Sequence, residues 1–536
     1  MKLTIFRPIL AALAFLASAC TANYLDINSN PYEPGEDDMQ TDGYIIGAAI
    51  TGMSSAVIST DVNTTQFTEC LLGGPMGGYF ADSNSGWATT ISNYNPTDDW
   101  TRVFMASDRV IPTLYSNLHD LQRVTEDPIA LAIAEIIKVA AMHRVTDTYG
   151  PIPYSKIGKG GEIQVAYDSQ EQIYDKFFEE LNHAIGILTE HRTGAIAPTA
   201  DYIFGGSAEK WCRFANSLKL RLAMRIVYAD QDKAREMAES AVSHEIGVMT
   251  SNADNARVTS FGEKGNPIYT AVKYNDDQAG HDCQNGGDTH AAADIICYMN
   301  GYGDPRREKY FTESEWPGED YVGLRRGIII PALAVAGHKY SGVNLTITSP
   351  MYWMNAAETA FLKAEAKAVF GFDMGPGAAG DFYNEGIRLS FEQWGVSGYD
   401  RYIKGTEKPQ NYVDPYGANT YSQALSDIAV AWDESAAPAE KQERIIIQKW
   451  IANWQLGNEA WADYRRTGFP HLIPATDAGN KSNGVVDSRL GARRMPYPAV
   501  ERTTNAENYQ TAVSSLLKGP DNMATRIWWD CNPAIN

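Results

Sequence analysis

The chain has 536 residues, a net charge of −21 at pH 7 and a hydrophobic content of 44%. This hydrophobic content is ample for a packed core, which excludes a globally disordered chain. An acidic chain lacks the basic face that phosphate binding needs, so nucleic acid is not expected as a partner. The six cysteines are too few to form a disulfide scaffold.

The first residues have the pattern of a secretory signal peptide. Lys2 and Arg7 supply positive charge, and residues 9–16 form an apolar core that is too short for a lasting membrane helix. Small residues then lead to Cys20, an arrangement that resembles a bacterial lipobox. We predict a signal peptide at residues 1–19 and lipidation of Cys20, with an ordinary signal peptide beside a chance cysteine as the alternative.

The segment after Cys20 is predicted to be a spacer. Residues 20–41 include Pro31, Pro34 and Gly35, and we interpret them as a lipidated tether off the membrane. Residues 42–536 show no flexible linker, so we predict a single domain there.

Helical patterns dominate this domain. Apolar residues recur at spacings of three and four positions, and alanines stand where neighbouring helices would cross closely. The predicted helices are 129–146, 169–190, 207–228, 232–243, 351–370, 376–393 and 441–464. They come in pairs of the tetratricopeptide type. We therefore predict a mainly all-α fold with little strand, decorated by long irregular loops at 70–100, 245–350, 396–440 and 468–506.

Several segments together resemble the SusD/RagB family of nutrient-binding outer-membrane lipoproteins of Bacteroidetes. In chain order they are Asn23–Asn28, His143–Ser155, Trp211–Arg225, Asn355–Glu358, Tyr383–Ile387, Gln448–Trp450, Glu459–Gly468, Arg493–Pro498 and Trp528–Asp530. They span nearly the whole mature chain in one order. Taken by themselves, residues such as Arg221, Arg225 and Trp461 are interpreted as parts of the scaffold.

The resemblance implies a helical lipoprotein on the cell exterior, anchored in the outer membrane. Such a protein binds oligosaccharides or oligopeptides and passes them to a SusC-like TonB-dependent β-barrel transporter. The resemblance implies neither a cofactor nor an enzymatic activity.

Two loop regions are predicted to hold the ligand. Sugars present C–H faces that stack on aromatic rings, and their hydroxyl groups need polar partners. The loops at residues 73–100 and 266–326 mix both residue types. The predicted ligand contacts are Trp87, Trp316 and Tyr274, followed by Tyr79, Tyr302 and Asn275.

Other chemistry is less favoured by the sequence. His281, Cys283, His290 and Cys297 lack the usual spacing of zinc ligands, and residues 82–93 match a calcium loop only in part, so no metal is predicted. Whether Cys283 and Cys297 form a disulfide is left open by the sequence. Nucleophile motifs such as G-x-S-x-G are absent. A surface-anchored glycoside hydrolase and an adhesive lipoprotein are therefore the alternatives to a binding protein.

Overall fold

The computed structural model describes residues 43–105, 110–158, 164–274, 287–337 and 339–535. The predicted signal peptide, Cys20 and the tether at 20–41 lie outside these ranges, so they stay predictions. Among the described residues, no helix is both long and apolar enough to cross a membrane.

In the part of the chain that the structure describes, ten helices of eleven or more residues form the framework. They are α1 (Tyr44–Ser54), α2 (Val110–Val124), α3 (Pro128–Tyr149), α4 (Gln170–Glu190), α5 (Ala208–Arg225), α6 (Gln231–Ser243), α7 (Ala356–Phe370), α8 (Ala379–Trp394), α9 (Pro438–Ala452) and α10 (Gly457–Thr467). Shorter α-helical turns are Val62–Thr65, Gly74–Met76, Asp98–Thr101, Pro267–Val272, Ala293–Gly301, Arg307–Tyr310, Leu333–Ala336, Tyr399–Tyr402, Glu501–Thr504 and Ala506–Thr511. Among the described residues, the other helical elements are two π-helical segments, Gln66–Gly73 and Ala512–Leu516, and two 3-10 turns, Asn252–Asp254 and Gly262–Lys264.

Local sequence explains where the long helices begin and end. The Asp127 side chain accepts hydrogen bonds from two amides in the first turn of α3, and Pro128 occupies its first position. Ser169 forms a capping box with Gln172 at the start of α4. Helix α7 ends at Gly371, whose left-handed backbone a glycine adopts without strain.

Helices that follow one another in the chain pack in pairs, which is the arrangement that the sequence predicts. Helix α1 packs on α2, α3 on α4, α5 on α6 and α7 on α8, while α4–α5 and α7–α9 contacts join the pairs. Between α7 and α8 a small residue is required, because a Cβ at Gly386 would lie 2.7 Å from the Phe361 ring. The prediction of a mainly all-α fold built from helix pairs is confirmed.

The structure differs from the predicted helices in two places. The predicted helix at 441–464 is two helices, α9 and α10, because Gln455 has a positive φ of 80° that breaks the helical hydrogen bonding. Residues Met351–Met354 form a strand rather than the first turn of α7. Helices α1 and α2 are additional elements that the sequence reading did not include.

Two small antiparallel sheets lie among the helices and loops. Strand β1 (Phe80–Asp82) pairs with β3 (Thr289–Ala291), and β2 (Ala256–Val258) pairs with β4 (Met351–Met354). Each sheet joins chain segments that are far apart in the sequence. The β1–β3 ladder therefore fixes the position of the long loops that flank it.

The centre of the framework contains a network of buried ionisable side chains, here called the ion-pair core. Helix α10 carries Glu459, Asp463 and Arg466, which contact charges on the surrounding helices. The other members lie on α3, α5, α7 and α9, and the whole set is His143, Asp147, Arg221, Arg225, Glu358, Glu365, Lys449, Glu459, Asp463 and Arg466.

The contacts in this core are specific in geometry. Arg221 makes a two-pronged contact with Glu358, with N···O distances of 2.8 and 2.7 Å. Arg466 makes the same two-pronged contact with Glu365, with N···O distances of 2.6 and 2.8 Å. Such paired, planar contacts fix both partners in orientation as well as in distance. The scaffold role that the sequence suggests for Arg221 and Arg225 agrees with these positions.

Candidate ligand-binding site

Three loops meet on the β1–β3 ladder. The ladder pairs Phe80 with Ala291 at one end and Asp82 with Thr289 at the other. Two pair steps of ~3.4 Å separate these ends by about 7 Å. One loop leaves β1 after Asp82, a second enters β3 before Thr289, and a third lies against β3 at Ala291.

The first loop carries Trp87. The Asn84 side chain donates to Asp288 at 3.1 Å and accepts from the Gly86 amide at 2.9 Å, which forms a tight turn. Trp87 follows this turn and is half-buried. Its ring meets the Trp100 ring edge to face, with centroids 5.4 Å apart.

Trp100 extends this aromatic surface into the framework. The Trp100 ring meets Phe67 edge to face, with centroids 5.7 Å apart. Trp87, Trp100 and Phe67 thus form a row in which each ring supports the next. The sequence analysis did not select Trp100, although a second tryptophan thirteen positions after Trp87 is a signal that it contains.

The second loop carries Tyr274, which is 55% exposed. The Tyr274 carbonyl accepts a hydrogen bond from the Asp288 amide at 3.0 Å, which ties it to the same residue that holds Asn84. Gly287 is required beside it, because a Cβ there would lie 2.1 Å from the Val272 carbonyl oxygen. The predicted contact Asn275 lies outside the described residues.

The third loop carries Trp316, which is half-buried. Its ring meets Tyr340 edge to face at 5.6 Å, and the Lys339 ammonium lies 4.8 Å from the ring centroid. Ser341, which follows Tyr340 in the chain, accepts a hydrogen bond from the Ala291 amide through its backbone carbonyl at 3.0 Å. This hydrogen bond attaches the Trp316 loop to the end of the ladder opposite Asp82. Lys339 was not among the residues that the sequence analysis selected.

Two of the predicted contacts lie in the core instead. Tyr79 is completely buried, stacks on Trp450 and donates its hydroxyl to the Trp450 carbonyl. Tyr302 is also buried and donates to the Ile428 carbonyl at 2.9 Å. Both hydroxyl groups are thus used inside the protein. We do not carry Tyr79 or Tyr302 into the proposed ligand site.

Tyr79 precedes the apolar pair Phe80-Ala81, and this run is the signal that indicates a core strand rather than a loop contact. Other aromatic residues of the two loop regions are buried as well; they are Phe80, Tyr94, Tyr310 and Tyr321. The loops therefore use most of their aromatic rings as anchors. Trp87, Tyr274 and Trp316 differ from these anchors in retaining solvent exposure.

A buried carboxyl group lies at the base of the Trp87 loop. Burial raises the pKa of Asp82 to about 7, and the neighbouring Asp288 adds to this rise. The Ser92 hydroxyl donates a hydrogen bond to one oxygen of the Asp82 carboxyl group. This hydrogen bond and the charge of Arg326 both lower the pKa, but they offset burial only in part. The other oxygen, Oδ1, accepts no hydrogen bond from the described residues.

The His/Cys cluster is only partly described. His290 is buried with its Nδ1 2.9 Å from the Ser83 hydroxyl, and Cys297 is buried in the helix Ala293–Gly301. His281 and Cys283 lie outside the described residues, so the Cys283–Cys297 pairing stays open. Within the described ranges, no group of three or more His, Cys, Asp or Glu side chains is arranged to hold a metal ion.

Comparison with known proteins identifies the family. The family model described as SusD-like, Susd and RagB outer membrane lipoprotein, matches residues 26–530. The search of curated proteins gave no match.

Solved structures agree with the family match. A SusD homologue from Bacteroides uniformis is 59% identical with a TM-score of 0.88, and the match covers 91% of this chain and 100% of the homologue. A SusD homologue from Bacteroides thetaiotaomicron is 38% identical with a TM-score of 0.82, covering 90% of this chain and 99% of the homologue. A chitin-binding SusD homologue from Flavobacterium johnsoniae is 36% identical with a TM-score of 0.82, covering 91% and 99%. The chain therefore belongs to the SusD-like family of outer-membrane lipoproteins.

Proposed function

We propose that this protein captures glycans at the three-loop site and passes them to a SusC-like TonB-dependent transporter. The observation that carries the proposal is the attachment of the Trp87, Tyr274 and Trp316 loops to one short ladder. Three aromatic side chains that retain exposure are thereby held on a common support. An aromatic surface held in place before binding loses little conformational entropy when a sugar stacks on it.

A glycan is favoured over an oligopeptide by two considerations. Trp87 and Trp316 offer flat faces for the C–H groups of sugar rings, and the partly exposed Asn84, three residues before Trp87, has polar atoms for hydroxyl groups. The Flavobacterium johnsoniae relative is chitin-binding. An oligopeptide is the alternative ligand, and a binding screen distinguishes the two.

The screen uses an array of neutral oligosaccharides with mixed peptide pools on the same slides. We expect retention of the protein on glycan features and background signal on peptide pools. Retention on peptides alone would reject the glycan proposal. The chito-, cello-, xylo- and malto-oligosaccharides belong on the array, because they differ in linkage and substituents but are all uncharged.

Variants of the loop residues test the position of the site. Trp87→Ala and Trp316→Ala should each weaken the best array ligand about tenfold, equivalent to ~1.4 kcal/mol. Trp432→Ala is the matched control, because Trp432 is also half-buried but packs on Tyr383 and donates to Glu434. Unchanged affinity in both loop variants, measured by titration calorimetry, would reject the three-loop site.

Delivery to a transporter and anchoring through Cys20 are tested in cells. We expect the full chain to co-purify with a large β-barrel protein from detergent-solubilised outer membranes. A Cys20→Ser change should release the protein from the membrane fraction. The protein should also be labelled by an impermeant reagent on intact cells, since we propose that it faces the exterior. Isolation of the lipoprotein without a barrel partner would contradict the delivery step.

We further propose that the protein does not cleave its ligand. Incubation of the pure protein with each bound oligosaccharide should return the oligosaccharide unchanged when analysed by chromatography. Accumulation of shorter products would instead support the glycoside hydrolase alternative.

A further inference from the structure

A cleft of about 370 Å³ lies away from the β1–β3 ladder, between the start of α4 and the C-terminal segment. Its walls come from the turn at Pro151, residues 169–171, residues 515–518 and residues 526–531. A volume of this order holds one or two sugar residues, since ligand sites of ~300–1,000 Å³ are typical. The three-loop site shares no residue with this cleft.

Trp528 gives the cleft an aromatic wall. It is half-buried, and its ring packs on Tyr174 with centroids 6.0 Å apart. The next two residues anchor it. The Trp529 ring nitrogen donates a hydrogen bond to Asp147 at 2.8 Å, and the Asp530 carboxylate accepts one from Arg493 at 2.7 Å. These buried contacts fix the backbone at Trp528, so its ring is held in position before any ligand arrives.

A polar group without a partner lies at the same cleft. Gln170 lines it and is 1% exposed, and its side-chain nitrogen donates to the Thr146 carbonyl at 2.9 Å. The side-chain oxygen, Oε1, is buried and accepts no hydrogen bond from the described residues. A buried acceptor left without a donor costs ~1–3 kcal/mol, so a donor supplied by a ligand would be favoured.

The remaining walls define the chemistry of that ligand. Leu516, Leu517 and Ile527 add apolar surface, whereas the rim carries charges of both signs at Glu171 and Lys518. Mixed charge gives no preference for an acidic or a basic ligand. An amide N–H next to a methyl group matches an unpaired acceptor among apolar walls, and an acetamido substituent on a sugar ring has both.

We infer that this cleft is a second glycan subsite, which binds a neutral sugar residue carrying an N-acetyl group. The sugar ring stacks on Trp528, and its acetamido N–H donates to Gln170. A glycan long enough to reach both sites would gain affinity through effective concentration. This inference rests on the proposed glycan function, but it concerns different residues.

The test uses chitotriose as the probe and the Trp87→Ala/Trp316→Ala double variant as the background. In this background binding at the three-loop site is weakened about 100-fold, so the remaining affinity reports mainly the cleft. Adding Trp528→Ala should weaken it at least about tenfold, whereas adding Trp528→Phe, which keeps an aromatic ring, should change it less than about threefold. Cellotriose, with hydroxyl groups in place of acetamido groups, should bind at least about tenfold more weakly than chitotriose.

A second measurement locates the ligand and does not depend on a variant that folds. Cys531 lines the cleft and is exposed. Saturating chitotriose should slow alkylation of Cys531 by iodoacetamide at least about threefold, as read by peptide mass spectrometry on the unmodified protein.

The outcomes separate the two proposals. The cleft proposal would be rejected if the double variant bound no glycan at all. It would also be rejected if chitotriose left the alkylation rate of Cys531 unchanged. Neither result would reject the three-loop site. Equal binding of cellotriose in the double variant would also overturn the inference. A protein that binds no glycan on the array fails the proposed function itself.

Discussion

The ion-pair core and the three-loop site each contain a buried carboxyl group, and the pKa values of these two groups are shifted in opposite directions. In the core, Glu459 is buried, and burial alone would raise its pKa, yet Arg221 and Arg225 hold that pKa well below its ordinary value. At the loop site, burial raises the pKa of Asp82 to about 7, because the Ser92 hydroxyl and Arg326 lower it too little to offset burial. Two-pronged ion pairs make the core a fixed frame, whereas at the loop site Asp82 Oδ1 accepts no hydrogen bond from the described residues and three aromatic rings keep exposed surface.

This difference predicts that stability and ligand binding depend on separate residues. Core charges should matter for unfolding, since removal of one partner leaves an uncompensated buried charge. Loop aromatics should matter for binding, since they are supported by neighbouring rings but retain exposed surface. The predictions below test this separation.

The largest expected effect is on a buried pair of the core. Glu358→Gln should lower the free energy of unfolding by ~3–5 kcal/mol, because the buried Arg221 loses its two-pronged partner and keeps, among the described residues, only the longer ion pair with Glu459 at 3.6 Å. Urea unfolding measures this change. The control is Asp427→Asn at the exposed Lys408–Asp427 pair, which should leave the unfolding midpoint unchanged. Equal effects at the two pairs would show that the core has no special role.

The raised pKa of Asp82 predicts a pH dependence of opposite sign to that of Glu459. Between the ordinary pKa of 3.8 and about 7, the folded state holds one more proton than the unfolded state. Its contribution to stability is therefore present at low pH and is lost as the pH rises through this window.

Asp82→Asn removes this titration. The variant should gain stability relative to the unmodified protein as the pH rises from about 5 to about 8, by at most ~4 kcal/mol at the upper end. Unfolding measured at several pH values gives the difference directly. A difference that does not vary with pH would contradict the assignment.

The Glu459 carboxylate behaves in the other direction. Its folded pKa lies below the ordinary value of 4.5, so the stability that it contributes is present above that value and is lost in acid.

The third prediction contrasts affinity with stability at Trp87. Trp87→Ala removes the edge-to-face contact with Trp100, which should lower the free energy of unfolding by about 1 kcal/mol. The same variant should lose about tenfold in glycan affinity. A loss of stability as large as that of Glu358→Gln would place Trp87 in the framework rather than at the ligand.

The framework could be predicted from the sequence because its signals are local. Ser169 with Gln172, Asp127 with Pro128, and apolar residues at helical spacing define α3 and α4 within a few residues. The break between α9 and α10 could not be predicted, because it depends on the backbone of Gln455, a residue type without a turn preference. Strand β4 was likewise missed, since its pairing with β2 is a long-range contact.

The candidate ligand contacts stay predictions, but the structure shows how exposed each of them is. Trp87, Tyr274 and Trp316 stood out as aromatics among glycine, asparagine and charged residues, and the structure leaves all three with exposed surface. Tyr79 and Tyr302 have similar sequence surroundings, but each hydroxyl finds a carbonyl on a distant segment, at Trp450 and Ile428. Burial of this kind is decided by tertiary packing, which one sequence does not contain.

The smallest expected effect concerns salt. Stacking and hydrogen bonds to an uncharged glycan are screened little by ions, so raising NaCl from about 50 to about 500 mM should change the affinity less than about twofold. Calorimetry at the two concentrations measures this. A steep loss of affinity with salt would indicate an ionic ligand instead.

The most direct test of the account is the glycan affinity of the Trp87→Ala/Trp316→Ala double variant, measured by calorimetry on protein whose urea midpoint is known. The ligand is an oligosaccharide that the array selects and that lacks N-acetyl groups, so the second cleft does not contribute. We predict a loss of about 100-fold if the two rings act independently, with the framework still folded. Full affinity in the folded double variant would contradict the claim that the three-loop site binds the ligand.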